Sequence, residues 1–161
     1  MEYTIRTAQF ADLDRIEEIY AYVRNFMAAH GNPTQWGTTE PPHEQLVDDI
    51  QQKLLFVVTS ATQIHGVFYF YIGEDPTYTH IYDGSWRSDT PYGTIHRIAG
   101  DGSGGILKAA VEFCREKISH FRIDTHGDNT VMQNAVARLG FQRRGIIYIQ
   151  DGTRRIAYDM I

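Results

Sequence analysis

Cysteine is almost missing from this chain of 161 residues, where Cys114 stands alone. A single thiol excludes an intramolecular disulfide and any zinc site built on two thiolates. It also suits a reducing compartment, so a cytoplasmic location is expected. Five prolines and 14 glycines are too few for a disordered or fibrous chain. Basic residues are the minority, 15 Lys and Arg against 20 Asp and Glu, for a net charge of −5. Nucleic-acid binding needs a Lys/Arg-rich face, so no nucleic-acid partner is expected. No apolar run approaches the roughly 20 residues of a membrane span, so no membrane partner is expected either. The opening Met1-Glu2-Tyr3-Thr4-Ile5-Arg6 alternates and carries an acid, unlike a signal peptide. What is present, 42% hydrophobic and 22% charged residues, is enough to bury a core in one domain over residues 1–161.

Hydrophobic periodicity orders the elements. Residues 3–7 alternate as a short strand. Leu13, Ile16, Ile19, Tyr20, Val23 and Met27 recur at helical spacing, which predicts a helix over 11–29 stopped by Gly31-Asn32-Pro33. A polar loop over 34–42 leads to a second helix over 43–53, with Leu46, Val47 and Ile50 inward. Segments 54–59 and 64–72 read as strands, and their nearly continuous apolar content suits central positions in a sheet. Residues 74–91 are turn-rich, with Thr79-His80-Ile81-Tyr82 as a short strand among them. A strand over 94–99 runs into glycines, followed by a helix with Ile106, Leu107, Ala110, Val111, Cys114 and Ile118 inward. Then come a strand over 121–125 and a helix from Asp128-Asn129 with Val131, Met132, Ala135, Val136 and Leu139 inward. A last pair of strands, 141–149 and 154–160, turns at Asp151-Gly152. The order predicts an α+β fold on a mixed sheet.

Gly100-Asp101-Gly102-Ser103-Gly104-Gly105, between a strand and a helix, is the loudest signal. A helix N-terminus offers unpaired N–H groups and partial positive charge, and glycines let backbone wrap closely around phosphate. Glycine turns also join strands to helices with no ligand, but so many glycines cost backbone entropy. Gly100, Gly102 and Gly105 spell G-x-G-x-x-G, and Asp124 lies where a dinucleotide fold puts its ribose acid. The chain remaining after Asp124 is too short for the rest of a doubly wound sheet. An NAD- or FAD-dependent oxidoreductase is therefore the weaker reading. No Gly-Lys-Ser/Thr closes the loop, which removes a P-loop NTPase.

Several segments together, from Tyr3 to about Met160, resemble the GNAT superfamily of N-acetyltransferases. Ile5-Arg6-Thr7-Ala8 with Asp12-Leu13-Asp14-Arg15-Ile16 is similar to its first strand and helix, and Ile95-His96-Arg97-Ile98-Ala99 to its fourth strand. Gly102-Ser103-Gly104-Gly105-Ile106 stands at its pyrophosphate loop, Q/R-x-x-G-x-G/A. Asp124-Thr125-His126-Gly127-Asp128-Asn129 followed by Leu139-Gly140-Phe141 resembles its fifth strand and fourth helix. Gln35-Trp36 and Tyr92-Gly93 resemble an uncharacterised bacterial subgroup. The loop departs from the pattern: it is shorter, Gly102 replaces Arg or Gln, and Leu107 replaces a small residue. Val136 occupies the position where many members carry a tyrosine as general acid.

The resemblance implies a mostly antiparallel central sheet flanked by four helices and splayed between its fourth and fifth strands. It implies acetyl-coenzyme A as co-substrate, with no metal, and a small-molecule amine or amino-acid-like acceptor. The backbone of Ile98, Ala99 and Gly100 would pair with the pantetheine arm, and the N–H groups of Gly102, Ser103, Gly104, Gly105 and Ile106 would hold the pyrophosphate. Asn129 would hydrogen-bond the arm. A homodimer is compatible with the family.

Strand alternation puts Thr94, His96 and Ile98 on one face, which in the family looks into the acceptor site, so His96 is the candidate general base. A histidine bonded in the core suits the same pattern. Gln35, Trp36, Trp86 and Tyr92, with Tyr82, stand in loops that flank the acceptor in the family. Asp124 and His126, two apart, read as a turn-stabilising pair. Asp124, His126 and Asp128 alone do not make a metal site. Cys114 falls on a core stripe, and Tyr148 is a candidate replacement acid. The missing tyrosine leaves a non-catalytic acyl-coenzyme A sensor as the other alternative.

Overall fold

A computed structural model describes residues 2–161. Seven strands form one sheet: β1 (Thr4–Thr7), β2 (Leu55–Thr59), β3 (Ile64–Ile72), β4 (Gly93–Gly100), β5 (Phe121–His126), β6 (Gln142–Tyr148) and β7 (Arg154–Met160). Their order is β1-β2-β3-β4-β5-β7-β6. Neighbours are antiparallel except β4 and β5, which run parallel and share one register pair, Gly93 with Phe121. Beyond that pair the two strands diverge, so the sheet is splayed in its middle, as expected. A sheet of this kind is not doubly wound, which removes the dinucleotide fold that the glycine spacing imitates.

Four helices cover the sheet: α1 (Leu13–Ala29), α2 (His43–Gln51), α3 (Ile106–Arg115) and α4 (Thr130–Arg138). On one face Ile16, Ile19 and Tyr20 of α1 and Leu46 and Ile50 of α2 pack on Leu55, Val57, Val67 and Ala99. On the other, Ala110, Val111 and Cys114 of α3 and Val136 of α4 pack on Phe68, Phe70, Ile95, Phe121 and Ile123. The first turn of α3 sits close over β3 and β4. A Cβ at Gly66 would lie 2.5 Å from Ile106 Cγ2, and one at Gly100 would lie 2.9 Å from Ile106 Cγ1. None of the described helices is long and apolar enough to cross a membrane.

Differences from the expected elements have local causes. A 3-10 turn over Phe10–Asp12 precedes α1, and α2 ends before Lys53, whose φ is +59°. Residues 79–82 are not a strand: Pro76–Tyr78 form a 3-10 turn, and Tyr82 makes an isolated bridge to Ile146. Asp75 caps that turn by accepting the Thr77 N–H at 2.9 Å, with Pro76 at its first position. Asn129 is the cap of α4 rather than part of it, and α3 stops short of Ile118. Val131, expected to face inward, is 50% exposed.

The consequential difference is in β4. Val67 pairs with Ala99 and Tyr69 with His96, so β4 has one residue more than β3 between those pairs. Arg97 in this bulge has φ +52°. Cross-strand partners share a face, so His96 and Ala99 lie on the α1/α2 side with Tyr69 and Val67. Ile98 packs with the opposite cluster, contrary to simple alternation, which put it beside His96. Tyr20 donates its hydroxyl to Arg97 O at 2.7 Å, and the buried Asp49 of α2 pairs with the Arg97 guanidinium. Both helices therefore hold the bulge in place.

Candidate active site

The diverging strands open a cavity of about 500 Å³ that passes between β4 and β5. Ile95, His96, Arg97 and Ile98 of β4 and Ile123, Asp124 and Thr125 of β5 form its walls. Gln35, Trp36, Glu40 and Pro41 cover it from the loop after α1, and Asp75 and Thr77 from the segment before β4. An adjoining groove of about 290 Å³ runs between α1 and α4 over the end of β4 to the glycine loop. Met27, Ile98, Leu107, Asn129 and Met132 line both, so the groove opens into the cavity.

His96 lines the cavity and its Nε2 lies 2.8 Å from Asp75 Oδ2. The imidazole stands beside Tyr69 and Tyr78, with ring centroids 5.9 and 6.1 Å away. With Nε2–H donated to Asp75, Nδ1 carries the lone pair that can take a proton. Burial pushes the Asp75 carboxyl up, but hydrogen bonds from His96 and Thr77 outweigh it and hold the pKa at about 2. Asp75 therefore remains an anion behind the imidazole at neutral pH.

Asp124 does not pair with His126. Its Oδ2 accepts the Tyr78 hydroxyl at 2.7 Å, and its Oδ1 lies 3.5 Å from Arg155 Nη1. Burial, then the nearby Asp124 charge, pushes the Tyr78 phenol well above its usual range. His126 accepts the Asp128 N–H at Nδ1 instead, closing the turn before α4.

Of the four aromatic and amide residues expected near the acceptor, Gln35 and Trp36 line the cavity; Trp86 and Tyr92 do not. Tyr92 is buried, and its hydroxyl accepts the Asp75 N–H at 2.7 Å, so it supports the cavity wall from behind. Trp86 donates to Tyr78 O, and the Arg122 guanidinium sits 4.4 Å from its ring and 4.3 Å from that of Tyr92. Tyr82 and Tyr148 meet edge to face, half exposed, and neither lines the cavity. Tyr148 is thereby removed as the acid. Val136 is fully buried, and burial pushes the Cys114 thiol up to about 12.

The glycine loop presents unpaired N–H groups at the start of α3. Gly102, Gly104 and Gly105 all have positive φ, between +76° and +93°, and the loop is exposed. The first helical bond of α3 runs from Ala109 N to Gly105 O, which leaves the N–H groups of Ile106, Leu107 and Lys108 outside the ladder. Ser103 is different, because its N–H donates to Asp101 Oδ1 at 3.0 Å. Asp101 also meets His65 at 2.9 Å and Arg15 at 3.0 Å, and Tyr3 donates to Gly104 O at 2.6 Å. These bonds fix the loop from outside the groove. Burial raises the Asp101 carboxyl, and the bonds from Ser103 and His65 lower it further than burial raises it.

Backbone alternation also suits an extended ligand. Asp101 N–H bonds His65 O on β3, so the peptide groups of Gly100 turn toward the gap. The Asn129 amide is partly committed: Oδ1 caps α4 at Met132 N, and Nδ2 donates to Gln35 Oε1 at 3.0 Å. One amide hydrogen remains for a ligand.

Sequence reasoning missed Asp75, Tyr78 and Arg155. The Asp75-Pro76-Thr77 triplet is a turn-capping pattern that signals the 3-10 turn. Nothing in the local sequence shows that this turn faces β4 and β5.

No protein-family model matches the chain, and no relative is found among curated proteins. Solved structures do match. An acetyltransferase of the GNAT family from Streptococcus agalactiae 2603 superposes with TM-score 0.88 at 28% identity, covering 99% of this chain and 95% of that one. A GNAT-family acetyltransferase from Listeria monocytogenes 4b F2365 gives TM-score 0.70 at 19% identity, over 99% and 94%. A chain of the NatC complex bound to Gag peptide and CoA gives TM-score 0.56 at 17% identity, over 99% and 98%; at that identity the likeness is one of fold.

Proposed function

The chain belongs to the GNAT acetyltransferases, and we propose that it moves the acetyl group of acetyl-coenzyme A to the amine of a small, amino-acid-like acceptor. The observation that carries this reading is the continuity of groove and cavity at Met27, Ile98, Leu107, Asn129 and Met132. A long ligand whose anionic end rests on the glycine loop has its other end at that junction, beside His96.

The residues present suit acetyl-coenzyme A. The N–H groups of Gly102, Gly104, Gly105 and Ile106 would hold its pyrophosphate on the positive end of α3. Ser103 N–H stays with Asp101. Ile98 and Gly100 would pair with the pantetheine arm along the open edge of β4, and Asn129 would donate its remaining amide hydrogen. The Ala99 peptide groups, expected to join them, turn toward Val67 on β3 instead. The co-substrate supplies the thioester whose acetyl group is transferred.

Gln35 and Trp36 close the acceptor side over the amine, while His96 takes the proton that the nitrogen loses as it bonds to the acetyl carbon. Asp75 fixes the ring and offsets the charge that His96 acquires. The backbone at the β4 bulge polarises the acetyl carbonyl. As the C–S bond breaks, the sulfur leaves as thiolate. With Val136 in the core, no phenol at that position protonates it.

Release of coenzyme A thiol, followed with a panel of amines, tests the proposal. Amine-dependent thiol release that stops in His96→Gln is the expected result. Binding of coenzyme A without turnover on any amine would make the chain an acyl-coenzyme A sensor instead.

A further inference from the structure

Arg155 enters the cavity from the start of β7. It pairs in register with His126, two residues from Asp124, so Arg155 and Asp124 project from the same face of the sheet. The Arg155 side chain is only 11% exposed. Its hydrogen bonding within the protein is poor: Nη1 reaches Asp124 Oδ1 at 3.5 Å, the outer limit of a hydrogen bond, and Nε is buried without a partner among the described residues. Asp124 is better served, because its second oxygen takes the Tyr78 hydroxyl.

The other guanidinium on the cavity wall differs. Arg97 Nε is likewise buried without a partner among the described residues, but its Nη2 is held by a short contact to the buried carboxylate of Asp49, where Arg155 has only the long one. A guanidinium offers five donors in a planar fork, and removing it from water with one long contact leaves most of that capacity unused. A second carboxylate laid across the fork restores it, in a geometry that lysine does not provide. Elsewhere on the same cavity wall, His96 and the anionic Asp75 suit an amine. The cavity thus has a place for each sign of charge.

We propose that Arg155 anchors a carboxylate of the acceptor, so that the acceptor is an amino acid or a similar small molecule carrying amine and carboxylate on one short frame. This rests on the acetyltransferase reading and narrows its substrate class. Tyr78 and Asp124 act as positioning residues that hold the fork toward the cavity.

Matched pairs test it: phenylalanine with phenethylamine, leucine with isoamylamine, and arginine with agmatine, each assayed by thiol release at saturating acetyl-coenzyme A. The amino acid is expected to exceed its matched amine by at least about tenfold in kcat/KM, mostly through KM. Arg155→Met should bring that ratio toward one, and Arg155→Lys should recover part of it. Thermal unfolding of the coenzyme A-loaded protein gives a second readout, with stabilisation by the amino acid lost in Arg155→Met. A normal acetyl-coenzyme A response with equal use of both pair members, or a ratio unchanged in Arg155→Met, overturns this inference alone. No response to acetyl-coenzyme A removes the acetyltransferase reading as well.

Discussion

His96 Nε2 and Asp75 Oδ2 lie 2.8 Å apart, a bond that ties β4 to a capped turn 21 residues earlier in the chain. The turn is itself held by Thr77 N–H and Oγ1, both on Asp75 Oδ1, and by the Tyr92 hydroxyl under the Asp75 N–H. The imidazole is therefore oriented by a rigid partner rather than by solvent. His96→Gln is expected to lower kcat by about 10²–10⁴-fold. The loss should be largest where the imidazole is neutral and able to accept a proton, and should shrink at low pH, where the native base is itself protonated. Asp75→Asn should lower kcat while the KM for acetyl-coenzyme A stays within about twofold. A pH–rate profile of His96→Gln parallel to that of the native protein would contradict the base role.

The same pair links stability to pH. The Asp75 carboxyl sits at about 2 in the fold, below its ordinary value of about 3.9. A depressed carboxyl stabilises the fold fully above its unfolded pKa, and that contribution fades as pH falls through the folded value. The difference in Tm between the native protein and Asp75→Asn should thus be constant from pH 7 to about 5 and shrink between about 4 and 2. A gap that stays constant to pH 2 would contradict the lowered Asp75 carboxyl.

Tyr78 is almost fully buried, and its hydroxyl gives Asp124 its short hydrogen bond. Tyr78→Phe leaves that carboxylate with the long contact to Arg155. A hydrogen bond to a charged group contributes about 1.5–3 kcal/mol, which at this chain length corresponds to roughly 3–12 °C in Tm. Thermal unfolding of the variant checks this, and an unchanged Tm would show that the bond carries no net stability.

Gly84 lets the segment before β4 lie against β6. A Cβ there would collide with the carbonyl of Arg144, which is backbone and cannot turn aside, close to the Tyr82–Ile146 bridge. Gly84→Ala should displace the segment that carries Asp75 and Tyr78, lowering both Tm and kcat. A variant with native Tm and rate would remove this segment from the site.

Cys114 is in the core, and burial holds its thiol near 12, so almost none of it is thiolate at neutral pH. Iodoacetamide should label it only after unfolding. Cys114→Ala should keep kcat within about threefold, as direct attack requires and a covalent acyl-cysteine route forbids. Rapid labelling of the folded protein with loss of activity would contradict direct attack.

Local patterns in the sequence were sufficient for most elements. Helical stripes such as Ile16, Ile19 and Tyr20, and the apolar run of β3, are set by which side chains must leave water, and the structure buries them there. The glycine loop was readable because positive φ at Gly102, Gly104 and Gly105 demands glycine. The site's far wall was not readable. The bulge at Arg97 breaks strand alternation, and it is held by Tyr20 and Asp49 from two other elements. Trp86 and Tyr92 looked like acceptor contacts because aromatic residues in loops often are, whereas Arg122 draws both rings into the packing behind the cavity. Val131 follows the helical stripe but faces the groove, because α4 borders a gap in the sheet where a continuous sheet would have buried it. Asp75, Tyr78, Asp124 and Arg155 meet only through the tertiary fold.

The groove beside the glycine loop is proposed to receive acetyl-coenzyme A. Thermal unfolding with acetyl-coenzyme A, coenzyme A, NAD and FAD, each in large excess, tests it most directly. A ligand at 100 times its Kd adds about 2.7 kcal/mol, which here corresponds to roughly 5–11 °C. A rise of that order is expected with acetyl-coenzyme A and coenzyme A, and none with NAD or FAD. A rise confined to NAD or FAD would contradict it.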